Sequence, residues 1–262
     1  MTADLGSLRE IIGLCGSFLT IRGDTVYFVH QAAKGFLVTK AVSDLARADD
    51  IHYALFSRSL EVMSRVLRRD IYNLRSPGYP TKKVESPDPD PLVASRYSCI
   101  YWVDHLCDWN LSSSADSSVD TQDGGAVHQF IRTKYLYWLE GLSLCKSISQ
   151  GAVSMAKLET LISVRLVPNG YLHTVNANGA KRRADAAELI ELLRDARRFI
   201  MAYKWAIENN PLHTYASALL FTPIGSLARN VFDEEKPQWI TIKPSIGYRW
   251  SACFQTLEGS RR

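Results

Sequence analysis

Cysteine and histidine are the side chains most readily used in catalysis, and Cys99, His105 and Cys107 lie close together in this chain. A thiol and an imidazole can act as nucleophile and base, but a thiolate nucleophile needs an electropositive and partly exposed position. The stretch 96–109, which carries all three residues, is apolar nearly all round. Core packing is therefore the favoured interpretation of these side chains, and we predict no catalytic residue here.

Sequence patterns that hold phosphate or metal are missing from the chain. There is no GxxxxGK[ST] phosphate loop, no HExxH motif and no paired CxxC motif. The six histidines show no i, i+4 ligand spacing. The five cysteines are an odd number without paired spacing, which indicates free, reduced thiols in an intracellular protein. We predict no metal site and no enzyme activity.

His30 is the residue singled out as a candidate site. It ends the second of two β-prone runs, 18–21 and 26–29, and stands at the start of a helical stretch, 31–40. A helix start is a natural anion site, where an imidazole can donate a hydrogen bond to a phosphate oxygen. The alternative is a hydrogen-bonded structural histidine, which residue chemistry alone favours.

Charge and hydropathy restrict the partners of the protein. The net charge is only +4 and the basic residues are scattered, so nucleic acid is not an expected partner. The runs Arg65, Arg68, Arg69 and Lys181, Arg182, Arg183 could touch phosphate, but a solvated face and a helix-flanking loop are favoured. No apolar run is long enough to cross a membrane, and the first residues do not resemble a signal peptide.

Apolar periodicity predicts an all-α fold, a multi-helix bundle or helical-pair array with one small N-terminal winged-helix β-hairpin. The helix, hairpin and helix at the N-terminus resemble the end of a winged-helix fold that lacks about two upstream helices. Helices are predicted over 7–14, 31–40, 48–72, 96–109, 126–146, 149–166, 186–209 and 212–220, with a further short one near 227–232.

The segment 96–109 is predicted to be surrounded by the other helices, since it has no broad polar face. Asp185 and Glu188 are predicted to form a capping box at the start of helix 186–209. The proline-rich segment 75–91 is expected to be an ordered loop or linker, and 112–124 and 168–181 to be exposed, mobile loops. The predicted core contains Tyr97, Ile100, Val103, Leu106, Tyr135, Trp138, Leu139, Leu142, Leu192, Phe199, Ile200 and Tyr203.

Several long strings resemble one protein family. TVYFVHQAAKGFL resembles the end of the winged helix in fungal NACHT-type signal-transduction NTPases, the NOD-like proteins related to vegetative (heterokaryon) incompatibility factors. RYSCIYWVDHL, KYLYWLEGLSL, LLRDARRFI, IENNPLHTYASALLFTP and WSACFQTLEG resemble the helical region that joins NACHT to a WD-repeat propeller in that family.

The resemblance implies that His30 occupies the position of a histidine that contacts the bound nucleotide diphosphate. The usual pattern is similar to VHQSAKDFL, whereas this chain has Ala32 and Gly35 in place of serine and aspartate. The contact would therefore be vestigial. ATP or ADP is expected to bind only if an intact NACHT domain is supplied in trans, and no other cofactor is expected.

The resemblance also implies an organisation and a role. Residues 1–42 would be the end of a winged helix, 43–236 a helical connector, and 237–262 an extended tail leading to an absent propeller. The expected function is a non-catalytic connector and interaction module of a fungal, cytoplasmic receptor linked to non-self recognition and regulated cell death, from a truncated member. Its expected partners are proteins, including full-length NACHT/WD-repeat homologues. The alternatives are part of an NTPase completed by another chain, and a winged-helix DNA-binding protein.

Overall fold

A computed structural model of the protein describes residues 12, 18–22, 25–36, 48–112, 119–165, 185–237 and 247–250. The chain forms two compact units, 1–51 and 52–262. Apart from residue 12, the predicted helix 7–14 lies outside the described residues, as do the loop 168–181 and the basic run 181–183.

The first unit contains a two-stranded antiparallel sheet of β1 (Leu19–Arg22) and β2 (Thr25–Phe28), followed by the short helix α1 (Gln31–Phe36). β-Branched and aromatic side chains favour these strands. The rings of Phe18 and Phe36 stack with their centroids 5.7 Å apart. The predicted N-terminal hairpin is confirmed.

In the described part of the second unit all regular secondary structure is helical, and the all-α fold class is confirmed. Its elements are α2 (Ala48–Val66, which begins in the first unit), α3 (Arg96–Ser112), α4 (Ala126–Leu144), α5 (Ile148–Arg165), α6 (Ala187–Asn209), α7 (Ser217–Phe221) and α8 (Leu227–Val231), with short 3₁₀ turns at Thr81–Lys83, Val119–Thr121, Pro211–Thr214 and Asp233–Glu235.

Helix α4 is the centre of the core, with 13 of its 19 residues buried. The indole ring of Trp138 meets Trp102 and Phe130 edge to face, with centroids 5.9 and 6.5 Å apart. Such edge-to-face pairs add to the free energy gained by burying the rings. The indole N–H of Trp138 donates to the carbonyl of Cys99 at 2.8 Å, so this large polar-tipped side chain is buried without an unpaired donor.

The prediction that the segment 96–109 is surrounded by protein was wrong on one face. Trp102, Val103 and Leu106 are buried, but Tyr97 and Tyr101 are 52% and 43% exposed. The two tyrosine rings lie against each other at a tilt of 40°, with centroids 4.9 Å apart. A tyrosine adds to an apolar sequence pattern, but its phenol hydroxyl also allows the side chain to line an outer face.

Most of the other predicted core residues are buried. Val103, Leu106, Tyr135, Trp138, Leu139, Leu142, Leu192, Phe199 and Ile200 are less than 9% exposed. Ile100 and Tyr203 are half-buried against the same core, and only Tyr97 lies outside it. Periodicity in α4 and α6 therefore located the core face correctly.

Helix α2 is shorter than predicted and uses a different face. It ends at Val66 instead of residue 72, and Arg69 to Tyr72 form a turn. The buried stripe is Phe56, Leu60, Met63 and Leu67, while Leu55 of the predicted stripe is exposed. Phe56 fits the i, i+4, i+7, i+11 spacing that Leu55 breaks.

The proline-rich segment 75–91 is an ordered loop, as predicted. Asp90 holds it, since its carboxylate accepts hydrogen bonds from the Tyr72 hydroxyl at 2.7 Å, the Leu92 amide at 2.8 Å and the Arg96 guanidinium at 2.5 Å. The predicted helix 212–220 is divided into the turn Pro211–Thr214 and helix α7. The two pieces meet at Tyr215, a fully buried residue.

Candidate functional site

His30 lies at the start of α1, as the sequence predicts, and its side chain is exposed. Its Nδ1 atom accepts a hydrogen bond from the backbone N–H of Ala32 at 3.1 Å, and its carbonyl accepts from Ala33 at 2.9 Å. The ring therefore caps the helix, and the neutral tautomer carries its proton on Nε2. His30 can donate one hydrogen bond from Nε2 while it keeps a structural role.

The two departures from the family pattern beside His30 leave it without neighbouring polar side chains at those positions. A Cβ atom placed on Gly35 would meet nothing within 4 Å, so the backbone has room for the aspartate that the family pattern expects. Whether His30 contacts a nucleotide stays a prediction.

The cysteine and histidine side chains of α3 do not form a catalytic pair. Cys99 is fully buried and burial raises the pKa of its thiol, and burial also raises the pKa of Cys107. His105 instead contacts the Tyr97 hydroxyl through Nε2 at 2.8 Å and the Nδ1 atom of His52 at 3.1 Å. Both thiols stay protonated near neutral pH, which agrees with the packing interpretation.

Glu140 is a buried carboxylate at the middle of the helical unit, and sequence reasoning missed it. Its Oε1 atom accepts the Ile71 amide at 2.9 Å; its Oε2 atom accepts the Asp70 amide at 2.9 Å and the Tyr215 hydroxyl at 2.5 Å. Glu140 thus joins helix α4 to the turn after α2 and to the start of the α7 region. The signal was available, since Glu140 is the one acid in the apolar run YLYWLEGLSL.

Burial raises the pKa of Glu140 to about 7, although the hydrogen bonds from Tyr215, Ile71 and Asp70 favour its charged form. The turn that Glu140 binds contains two residues with positive φ angles, Asp70 at 50° and Asn73 at 55°. Asparagine and aspartate tolerate this left-handed conformation better than most residues. The carboxyl group is enclosed by backbone and by Tyr215, which suits a structural clasp.

A second group of side chains covers the clasp from outside. The Arg69 guanidinium lies 4.8 Å from the centre of the Tyr215 ring and 3.1 Å from the Glu235 carboxylate. The Tyr137 hydroxyl also donates to Glu235. Arg65 of the same basic run pairs with Glu61 on α2. Arg65 and Arg69 are exposed side chains that pair with carboxylates of the protein. This agrees with the interpretation that the basic run is a solvated helix face and not a phosphate site.

Asp195 is the second buried carboxylate missed from the sequence. Its Oδ2 atom accepts the Ser226 hydroxyl at 2.6 Å and the Ala228 amide at 2.8 Å, and its Oδ1 atom accepts the Trp250 indole N–H at 2.6 Å. Asp195 falls on the buried face of α6 between Leu192 and Phe199, so its position in the 3.6-residue period was a usable signal.

The predicted capping box of α6 was wrong. Asp185 is a turn residue, the helix begins at Ala187, and no side chain of Ala186 caps it. Instead Asp123 accepts the amides of Glu188 at 3.2 Å and Leu189 at 2.7 Å. Part of the predicted mobile loop 112–124 is therefore ordered. No local sequence signal predicts a cap that is supplied from 65 residues away.

Among the described residues, no cluster of at least three His, Cys, Asp or Glu side chains could hold a metal ion. Of the helices that the structure describes, none has the length and apolar character needed to cross a membrane.

The fold and its buried carboxylate contacts define a helical packing module, and over nearly its whole length the chain is similar to part of a fungal NACHT/WD-repeat vegetative incompatibility protein. It is 44% identical over 271 aligned positions to the vegetative incompatibility protein HET-E-1 of Podospora anserina. The match covers 98% of this chain but only 18% of HET-E-1. No family model and no solved structure matches the chain.

Proposed function

We propose that the chain is a non-catalytic connector and interaction module of a fungal NOD-like incompatibility receptor, corresponding to the helical region between nucleotide-binding and propeller parts. The observation that carries this proposal is that three carboxylates of the chain hold distant segments together. Glu140, Asp195 and Asp123 each bind backbone amides from distant parts of the chain. Such ties between segments give a stiff scaffold, which a connector needs in order to transmit a displacement.

A stiff connector also needs a continuous core, and the described helical unit has one. A single cluster of buried apolar residues extends from Phe56 to Phe232. Every helix from α2 to α8 contributes residues to it. Because close-packed interiors deform little, a force applied at one end is carried to the other. We propose protein partners for this module, including full-length members of the family.

The single candidate nucleotide contact is too weak to make the module an NTPase by itself. One hydrogen bond from His30 to a phosphate, assisted by charge, would be worth about 1.5–3 kcal/mol. Even a millimolar complex requires about 4 kcal/mol. His30 would therefore add to a nucleotide site only when an intact NACHT domain supplies the remaining contacts.

Calorimetry of the purified chain with Mg²⁺–ATP and Mg²⁺–ADP tests this proposal. We expect no binding at micromolar concentrations and no phosphate release in a parallel hydrolysis assay. The matched variants are His30→Ala and His213→Ala, of which only the first changes the candidate residue. Micromolar affinity lost in His30→Ala but kept in His213→Ala would contradict the connector proposal and favour the NTPase alternative.

A further inference from the structure

The segment Gly247, Tyr248, Arg249, Trp250 packs on the helical unit through two separate attachments. The first is a pair of backbone hydrogen bonds, in which Ile224 donates to Gly247 at 3.3 Å and Gly225 donates to Tyr248 at 2.9 Å. The second is the indole N–H of Trp250, which donates to Asp195 at 2.6 Å. We call residues 247–250 the strap.

The strap is held loosely in comparison with the core that it covers. Gly247, Tyr248 and Arg249 are exposed, and Tyr248 is 69% exposed. A cleft of about 510 Å³ lies beside the strap, lined also by Glu191, Arg194 and Arg198 of α6. Because water can enter this cleft, the groups that the strap covers can be hydrated when it leaves.

The anchor for Trp250 stays satisfied without it. Asp195 keeps the Ser226 hydroxyl and the Ala228 amide on its Oδ2 atom, and only Oδ1 depends on the indole. Asp195 lines the cleft, so water can replace the indole donor when Trp250 leaves. Strap release therefore leaves no buried charge unpaired, which is the usual obstacle to opening such a contact.

Gly225 fits the strap closely. A Cβ atom at this position would lie 2.7 Å from the Tyr248 carbonyl oxygen and 2.9 Å from the Tyr248 ring. The nearest atoms all belong to the strap, so a side chain here would displace the strap without entering the helical core. The strap therefore contacts a glycine, Gly225, through its backbone and a carboxylate, Asp195, through the indole of Trp250.

From this geometry we infer that the strap is a reversible latch, which detaches from Asp195 and Gly225 while the helical unit stays folded. When it detaches, Oδ1 of Asp195, the Gly225 amide and the half-buried Tyr203 ring, 6.4 Å from the Trp250 ring, become accessible from the cleft. A load on the chain beyond residue 250 would act first on this latch. That use in signalling rests on the proposed connector function, whereas the detachment itself does not.

Hydrogen–deuterium exchange of the complete chain tests the latch through the amides of Ile224 and Gly225. We expect both amides to exchange at least 10-fold faster than the amides of α4, because the strap opens separately from the core. Trp250→Phe removes the indole donor and keeps the ring, and should speed their exchange by a further 10- to 150-fold, roughly the effect of one charge-assisted hydrogen bond. Gly225→Ala should speed the exchange of Ile224 similarly while α6 keeps its protection.

The matched control is Trp205→Phe, since Trp205 is 77% exposed on α6. This variant should leave the exchange of Ile224 and Gly225 unchanged. The latch is contradicted if these amides exchange at the rate of α4 in the native chain, or if Trp250→Phe has no more effect than the control. It is also contradicted if Trp250→Phe loosens α6 to the same degree, because the strap would then be part of the core. Nucleotide binding in the calorimetry would overturn the connector role without changing any of these exchange results.

Discussion

Glu140→Gln tests the hydrogen bonds that the buried Glu140 side chain makes to Asp70, Ile71 and Tyr215. The glutamine amide has one oxygen and one NH₂ group, whereas Glu140 accepts hydrogen bonds on both oxygens. If the oxygen faces Ile71, the NH₂ can donate to the Tyr215 hydroxyl but meets the Asp70 amide, which then has no acceptor. One buried unsatisfied donor costs about 1–3 kcal/mol. We expect this loss of stability where Glu140 is protonated, at about pH 5.

The difference in unfolding free energy between the native chain and Glu140→Gln should depend on pH. The pKa of Glu140 is about 7 in the folded protein, against the ordinary value of 4.5 in the unfolded chain. Between these values the folded state binds more protons, so its stability falls as pH rises. Stability due to the protonated group is complete below pH 4.5 and is lost as pH rises through 7. From pH 5 to 7.5 the native chain loses about 2 kcal/mol of stability in this way. Glu140→Gln does not show this loss, because glutamine does not titrate.

Urea unfolding followed by tryptophan fluorescence at pH 5, 6, 7 and 7.5 measures both effects. The native chain should be the more stable protein at pH 5, and its advantage over Glu140→Gln should shrink by about 2 kcal/mol at pH 7.5. A difference that stays constant, or grows as pH rises, would mean that the hydrogen bonds outweigh burial. The reasoning from burial would then be refuted.

Three further substitutions examine the packing and the cap. Leu192→Ala, on the buried face of α6, should lower the free energy of unfolding by about 2–5 kcal/mol in the same urea assay, and a near-neutral result would place α6 outside the core. Gly151→Ala should destabilise by about 1–3 kcal/mol, because the new Cβ would lie 2.4 Å from Leu142; Gly78→Ala, with nothing within 4 Å, is its control and should change little. Asp123→Ala should cost about 0.5–2 kcal/mol and speed amide exchange in the first turn of α6, and unchanged exchange there would argue against the cap.

The helices and the hairpin were predictable because their signals are local. Residues Leu189 to Ile207 repeat with a helical period, and burial of this stripe follows from the period alone. Helix α2 shows the limit, since Phe56 rather than Leu55 faces the core. Both are apolar neighbours, and only the packing partners decide which of the two is buried.

The polar ties were less predictable because their partners lie far away in the sequence. Asp123 caps a helix that begins 64 positions later, and Asp185 offered a plausible local cap that the fold does not use. Glu140 and Asp195 could have been noticed as acids on buried helix faces, but their partners Ile71, Tyr215 and Trp250 could not be named. Such contacts depend on tertiary packing, which periodicity does not contain.

Replacement of the matching segment of HET-E-1 by this chain tests the connector proposal most directly. The measurement is the incompatibility reaction of a fungal strain that carries the chimera, compared with a strain that carries a flexible Gly/Ser linker of the same length. The proposal predicts that the chimera keeps the reaction, and that the linker and a chimera with Glu140→Lys, which breaks the clasp, both lose it. A linker that supports the reaction as well as this chain does would contradict the account, because a stiff helical module would then be unnecessary.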